Sequence, residues 1–165
     1  MSKRDGVPRN RRKANDSCRT LIERWWEHFA TSSARNRKDA ALQSYIIVFV
    51  GGGIGAALRH LVNLVTARWL GTSFPYNTLF ANVSGSLVMG LLTAYFGLRA
   101  GSPQSLKLFL TTGILGGYTT FSTFSLDSVL LWERSQYLAA AGYVLASVAA
   151  SLVGVLFGAS LIRLS

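Results

Sequence analysis

The sequence predicts an all-α membrane protein with four transmembrane helices, and three observations predict it. Half of the residues are apolar. They are concentrated after Ser44 instead of being spread at the period of a soluble amphipathic fold. From Tyr45 onward the chain divides into four stretches, each long enough to cross a hydrocarbon core of about 30 Å, which takes roughly 20 helical residues.

Residues 1 to 44 form a basic N-terminal extension, with eleven Lys/Arg against five Asp/Glu, whereas residues 45 to 165 carry six against two. Within it, RNRRK (Arg9 to Lys13) and RNRK (Arg35 to Lys38) are basic clusters, and CRTLIERWWEHFA (Cys18 to Ala30) has the apolar face of a short interfacial helix. Basic residues flanking a first span are ordinarily held in the cytoplasm and drawn to anionic lipid, so no nucleic acid is expected as a partner. No apolar core of a signal peptide lies in the first 30 residues, and the segment reads as a retained cytoplasmic extension. Cys18 stands alone, which excludes an internal disulfide.

Span one is expected over about Tyr45 to Leu70, span two over Asn77 to Leu98, span three over Ser105 to Trp132 and span four over Gln136 to Ile162. The breaks carry turn chemistry: GTSFP (Gly71 to Pro75), RAGSP (Arg99 to Pro103) and WERSQY (Trp132 to Tyr137). Four crossings return both termini to one side. The positive-inside rule then places the extension, Arg99, Lys107 and Arg163 in the cytoplasm and Arg68 and Arg134 outside. Each span also carries small residues, which let helices approach where no hydrophobic effect drives them together.

Span three holds the most chemistry. TTGILGGYTTFSTFSLD (Thr111 to Asp127) crowds seven Ser and Thr hydroxyls around Gly116 and Gly117. The glycine pair invites a helix break, and a break at membrane depth survives only when buried in protein or lining an aqueous cavity. Carbonyls freed there can hold a cation; alternatively the hydroxyls bond back to their own helix. Phe121 and Phe124 share a helical face. Their positive ring edges, interleaved with hydroxyls such as Thr120 and Thr123, suit a small anion that must be held and released; ordinary packing is the competing account. In span four, Tyr143, Ser147 and Ser151 make a hydroxyl stripe that is either a donor track or helix-helix glue. Asn82 and Arg59 lie inside apolar stretches, and Arg59 is either an anion-attracting vestibule residue or a tie to carbonyls. Asp127 is the only carboxylate within the expected spans. No coupling carboxylate of a proton-driven exporter, nucleotide loop, metal-ligand cluster or hydrolase triad is present, so the chain is not expected to be an enzyme. A non-transporting assembly factor would explain the small residues but not the hydroxyl and phenylalanine cluster.

At GGGIGAALRH (Gly51 to His60), P-x-x-T-L-x-x-N (Pro75 to Asn82), GGYTTFSTFS (Gly116 to Ser125) and Y-x-x-x-S-x-x-x-S (Tyr143 to Ser151), the sequence resembles the Fluc/CrcB fluoride channels over nearly all of residues 45 to 165. The third element is the specific one. The resemblance implies a passive fluoride channel in the cell inner membrane that lowers cytoplasmic fluoride and confers fluoride resistance. It also implies an antiparallel, dual-topology homodimer with two pores and a central structural sodium ion. Carried over by motif position, the sodium ligands are the backbone carbonyls of Gly116 and Thr119. Phe121 and Phe124 become the pore phenylalanines and Asn82 a pore donor, while Thr78, Tyr143, Ser147 and Ser151 form a polar track. Three departures stand out: Asn77 replaces the usual Gly, Asp127 replaces the usual Glu, and the basic extension favours one orientation. The last admits an oppositely oriented homologue as partner in place of a second copy.

Overall fold

The computed structural model describes residues 37–99 and 101–164. The interfacial helix expected over Cys18 to Ala30, and the first basic cluster, lie outside the described residues. The chain divides into two compact units, Met1–Ala40 and Ala41–Ser165. The membrane-crossing stretches belong to the second.

The described residues are helical: α1 (Arg37–Leu70), α2 (Tyr76–Leu98), α3 (Gln104–Leu108), a π-helical run (Phe109–Leu115), α4 (Gly116–Tyr118), α5 (Phe121–Glu133) and α6 (Tyr137–Leu164). Three stretches are long and apolar enough to cross a membrane as single helices: Ala41–Leu70, Tyr76–Leu98 and Tyr137–Leu164. The expected third span is not one helix. It runs through α3, the π-helical turns and α4, opens into extended backbone at Thr119 and Thr120, and resumes as α5.

The turns follow from local chemistry. Gly71 takes a positive φ of 74° where α1 ends, a conformation that costs glycine little, and Pro75 precedes α2, where a missing amide is harmless. Aromatic residues gather at the helix ends that Gly71 to Pro75 and Arg134 to Gln136 connect: Trp69, Tyr76, Trp132 and Tyr137, the last two with ring centroids 4.6 Å apart. Such a belt sits at a membrane-water boundary. Large apolar side chains elsewhere, Phe49 and Leu138 among them, are exposed, as expected for a surface solvated by lipid.

Packing is close because small residues permit it. Helices α2 and α6 pair extensively. There a Cβ on Gly90 would meet the Val155 carbonyl, and one on Gly158 the Leu87 carbonyl. Against α1 the third span is equally close: a Cβ on Gly117 would meet the Gly52 carbonyl, and one on Gly55 the Ile114 carbonyl. A small core of Phe124, Leu131, Ala140 and Tyr143, joined by Phe74 and Leu79, lies where α5, α6 and the start of α2 meet.

The third span is therefore broken, but a short way downstream of the glycines that suggested it. Gly116 is helical, with φ −62° and ψ −37°. The break falls at Thr119 (φ −82°, ψ 155°) and Thr120 (φ −153°, ψ 119°). Gly117 serves the backbone approach of α1, and the break has another cause.

Candidate functional site

That cause is Asn82. On α2 it lies one turn beyond Thr78, and its amide grips both backbone groups of Thr120: the Thr120 N–H donates to Asn82 Oδ1 at 2.8 Å, and Asn82 Nδ2 donates to the Thr120 carbonyl at 3.0 Å. The gap is close-fitted, since a Cβ on Gly85 would strike the Thr119 methyl. A side chain from another helix thus supplies what the broken backbone has lost.

The diversion of donors has a second result. In a continuous helix the Thr120 N–H would bond the Gly116 carbonyl, and the Thr123 N–H would bond the Thr119 carbonyl. Here the first goes to Asn82. The second donates to Thr120 Oγ1 at 3.2 Å, a side-chain cap that restarts the helix as α5. The carbonyls of Gly116 and Thr119, carried over as cation ligands, are thus among those left without helical donors at the break. Among the described residues no group of three or more His, Cys, Asp or Glu side chains could hold a metal.

Beside the break runs an open groove of about 300 Å³, lined by Asn82, Thr120, Phe121, Phe124, Ser147 and Ser151 together with Ser86, Thr119 and apolar neighbours. Among the described residues, no charged side chain lines it. Phe124 is 8% exposed and packs between Phe121 and Tyr143, each ring centroid 5.4 Å away. Phe121 is 77% exposed. Ser147 is 4% exposed, and its hydroxyl oxygen is buried with no hydrogen-bond partner among the described residues. Ser147 also lines the groove, so its hydroxyl has donor capacity beside it.

Beyond Phe124 the polar residues close into a cluster. Thr78 Oγ1 donates to Asp127 Oδ2 at 2.7 Å, and the Tyr143 hydroxyl donates to the same oxygen at 3.3 Å. Tyr143 is fully buried, with Phe74 set edge-on to its ring at 5.6 Å. Aspartate reaches both partners although it is a methylene shorter than the Glu the resemblance expects. On the α1 side, Arg59 is half-buried and lines a second cavity of about 250 Å³ with Asn63, Thr78, Thr120 and Thr123. It makes no hydrogen bond to a carbonyl and no ion pair among the described residues.

The candidate pore and vestibule residues fall into three groups. Asn82, Thr120, Phe121, Phe124, Ser147 and Ser151 share the groove; Thr78, Asp127 and Tyr143 share hydrogen bonds; Arg59, Thr78, Thr120 and Thr123 share the cavity. Several other hydroxyls do bond back to their own helix, as with Thr111 to Lys107 at 2.7 Å and Ser125 to Phe121 at 2.9 Å. Sequence reasoning misses Asn63, which bonds Asn77, and Ser84, which meets the Tyr118 hydroxyl at 3.0 Å. Asn63 stands four residues after Arg59 on the same helical face, and that spacing is the signal that could have found it.

Comparison with known proteins fits this arrangement. A family described as CrcB-like protein, Camphor Resistance, matches residues 46–159. The chain is 59% identical over 120 residues to a protein named fluoride-specific ion channel FluC from Rhodopseudomonas palustris (strain BisB5), covering 73% of this chain and 97% of that one. It is 63% identical over 116 residues to the same-named protein of Methylobacterium nodulans, covering 70% and 91%. With that of Granulibacter bethesdensis the identity is 52% over 122 residues, covering 74% and 96%. On this match the chain belongs to the CrcB-like family, whose relatives named here are ion channels and not enzymes.

Proposed function

We propose that this chain is a fluoride-selective channel of the cell inner membrane, which lowers cytoplasmic fluoride by passive export. The observation that carries the reading is the groove beside the break: aromatic rings, hydroxyls and an orphan serine donor, with no charge among them. Ring edges and O–H dipoles attract a small anion, yet none binds it as a fixed cation would, so the ion can leave again. Arg59, without a counter-ion in its cavity, raises the local concentration of anions without lying in the groove. The relatives' shared name supplies the identity of the ion.

The assembly belongs to the same proposal. Phe121 is largely exposed on a chain whose groove is open along one side, which supports completion of the pore by a second subunit. We take that subunit to be an antiparallel copy of the chain. An oppositely oriented homologue is the second reading, favoured by the eleven Lys/Arg of residues 1 to 44. The carbonyls of Gly116 and Thr119 fit a sodium ion at the dimer centre, because their helical donors are diverted and carbonyl oxygen is the ligand a hard cation prefers. Such an ion would offset the carbonyl dipoles brought together there. Asn82 and the Thr120 hydroxyl hold the break open for it.

The test is fluoride efflux from liposomes holding the purified protein, followed with a fluoride electrode, with chloride efflux in parallel. Fluoride should leave rapidly and chloride should not. Phe124→Ile keeps bulk but removes the ring, and efflux should fall about tenfold or more, the equivalent of about 1.4 kcal/mol of aromatic contact. If purified dimers release no fluoride alone or when co-reconstituted with a homologue, the assignment fails.

A further inference from the structure

The Arg59 cavity has a neighbour. A pocket of about 190 Å³ lies towards the Gly71 to Pro75 turn, lined by Thr72, Asn77, Asp127 and Arg134 among others. Two hydrogen bonds join residues of one cavity to residues of the other. Thr78, on the Arg59 side, donates to Asp127 on the Arg134 side at 2.7 Å. Asn77, on the Arg134 side, donates through Nδ2 to Asn63 Oδ1 on the Arg59 side at 3.0 Å. The partition between the cavities is therefore a hydrogen-bonded seam, with Arg59 behind one face and Arg134 beside Asp127 behind the other.

We infer that the Asn63–Asn77 bond is a latch in this seam and limits the rate at which fluoride passes between the two cavities. The inference rests on the channel reading above and adds a rate-setting pair to it. Both asparagines are half-buried, and a neutral amide pair separates at modest cost. On separation, the Asn77 amide N–H is free to donate to an anion, while Asn63 Oδ1 turns away as an acceptor must and the Thr78 hydroxyl stays on Asp127. Asn63 lies one helical turn from Arg59, so an anion drawn to the guanidinium arrives beside the latch. A residue without a side-chain amide at position 77 leaves the Thr78–Asp127 bond as the seam's other closure.

The experiment compares fluoride efflux from liposomes for the unmodified chain, Asn77→Gly, Asn63→Ala and the double variant, each first shown to elute as the intact dimer. Glycine is the residue the resemblance places at position 77, and Asn63→Ala preserves the helix, so two independent variants probe one bond. Each single variant should release fluoride about three- to tenfold faster, the rate equivalent of one neutral hydrogen bond. The double variant should be no faster than either single one, because both remove the same contact. Rates that are unchanged or slower in both single variants, or that add in the double variant, overturn the latch; a bond with a purely structural role loses rate when cut. If the unmodified chain releases no fluoride, both the channel reading and the latch fall. If it conducts and the variants match it, only the latch does.

Discussion

At the scale of single residues, the molecule turns on Asn82. Its amide offers one acceptor and one donor, and both go to Thr120. Replacement by alanine strands an N–H and a carbonyl away from water, at about 1–3 kcal/mol for each group. Asn82→Ala should therefore lower the thermal unfolding midpoint in detergent and abolish efflux. Asn82→Asp keeps the acceptor for the Thr120 N–H and should fall between the two; a fluorescence melt beside the efflux assay checks both. The sequence shows Asn82 as a polar residue in an apolar span, which is enough to mark it as important. What it does not show is the partner, since Thr120 is remote in sequence and a tertiary contact has no local signature. Asp127 is legible in the same partial way. Its carboxylate is conspicuous, but only the fold brings Thr78 and Tyr143 to one of its oxygens.

At the scale of elements, hydropathy and turn residues locate the helices well: α2 begins at Tyr76 and ends at Leu98, and α6 runs from Tyr137 to Leu164, close to the expected limits. The break is where local reasoning slips. Glycine has low helix propensity, so Gly116 and Gly117 draw attention. In the fold, however, that segment stays helical and the backbone opens at Thr119 and Thr120, where a side chain of α2 can replace the lost bonds. Glycines instead set helix spacing, and they are not equivalent. A Cβ at Gly158 would meet the Leu87 carbonyl, whereas one at Gly142 has nothing within 4 Å. Gly158→Ala should push α6 from α2 and destabilise the protein by about 1–3 kcal/mol. Gly142→Ala should be neutral, or stabilising by up to about 1 kcal/mol through helix propensity. Unfolding of the two variants in mixed micelles gives the comparison, and equal effects would mean that α2 and α6 are not held by this contact.

At the scale of the whole molecule, charge and small-residue content say that the chain is a packed membrane bundle, while the exposure of Phe121 on that bundle is not written in one chain's sequence. The extension bears on this directly. Without residues 1 to 44 the remaining six Lys/Arg are divided by the expected topology into three inside and two outside, with Arg59 within span one, a weak bias. Removing the extension should therefore convert a single orientation into a mixture. The truncated chain has no cysteine, so Ser135→Cys at the turn before α6 reports the side by impermeant-thiol labelling of intact cells. A single orientation after truncation would leave the extension without that role. The clamp on the break also bears on biosynthesis. An opened backbone is costly in lipid until another helix satisfies it. Asn82 is synthesised before Thr120, so α2 is available in the bilayer when the third span arrives. The segment can enter as an ordinary continuous helix and exchange its own bonds for those of Asn82 on docking. The defect is then acquired in the membrane by assembly, and chain order ensures that its repair is present first.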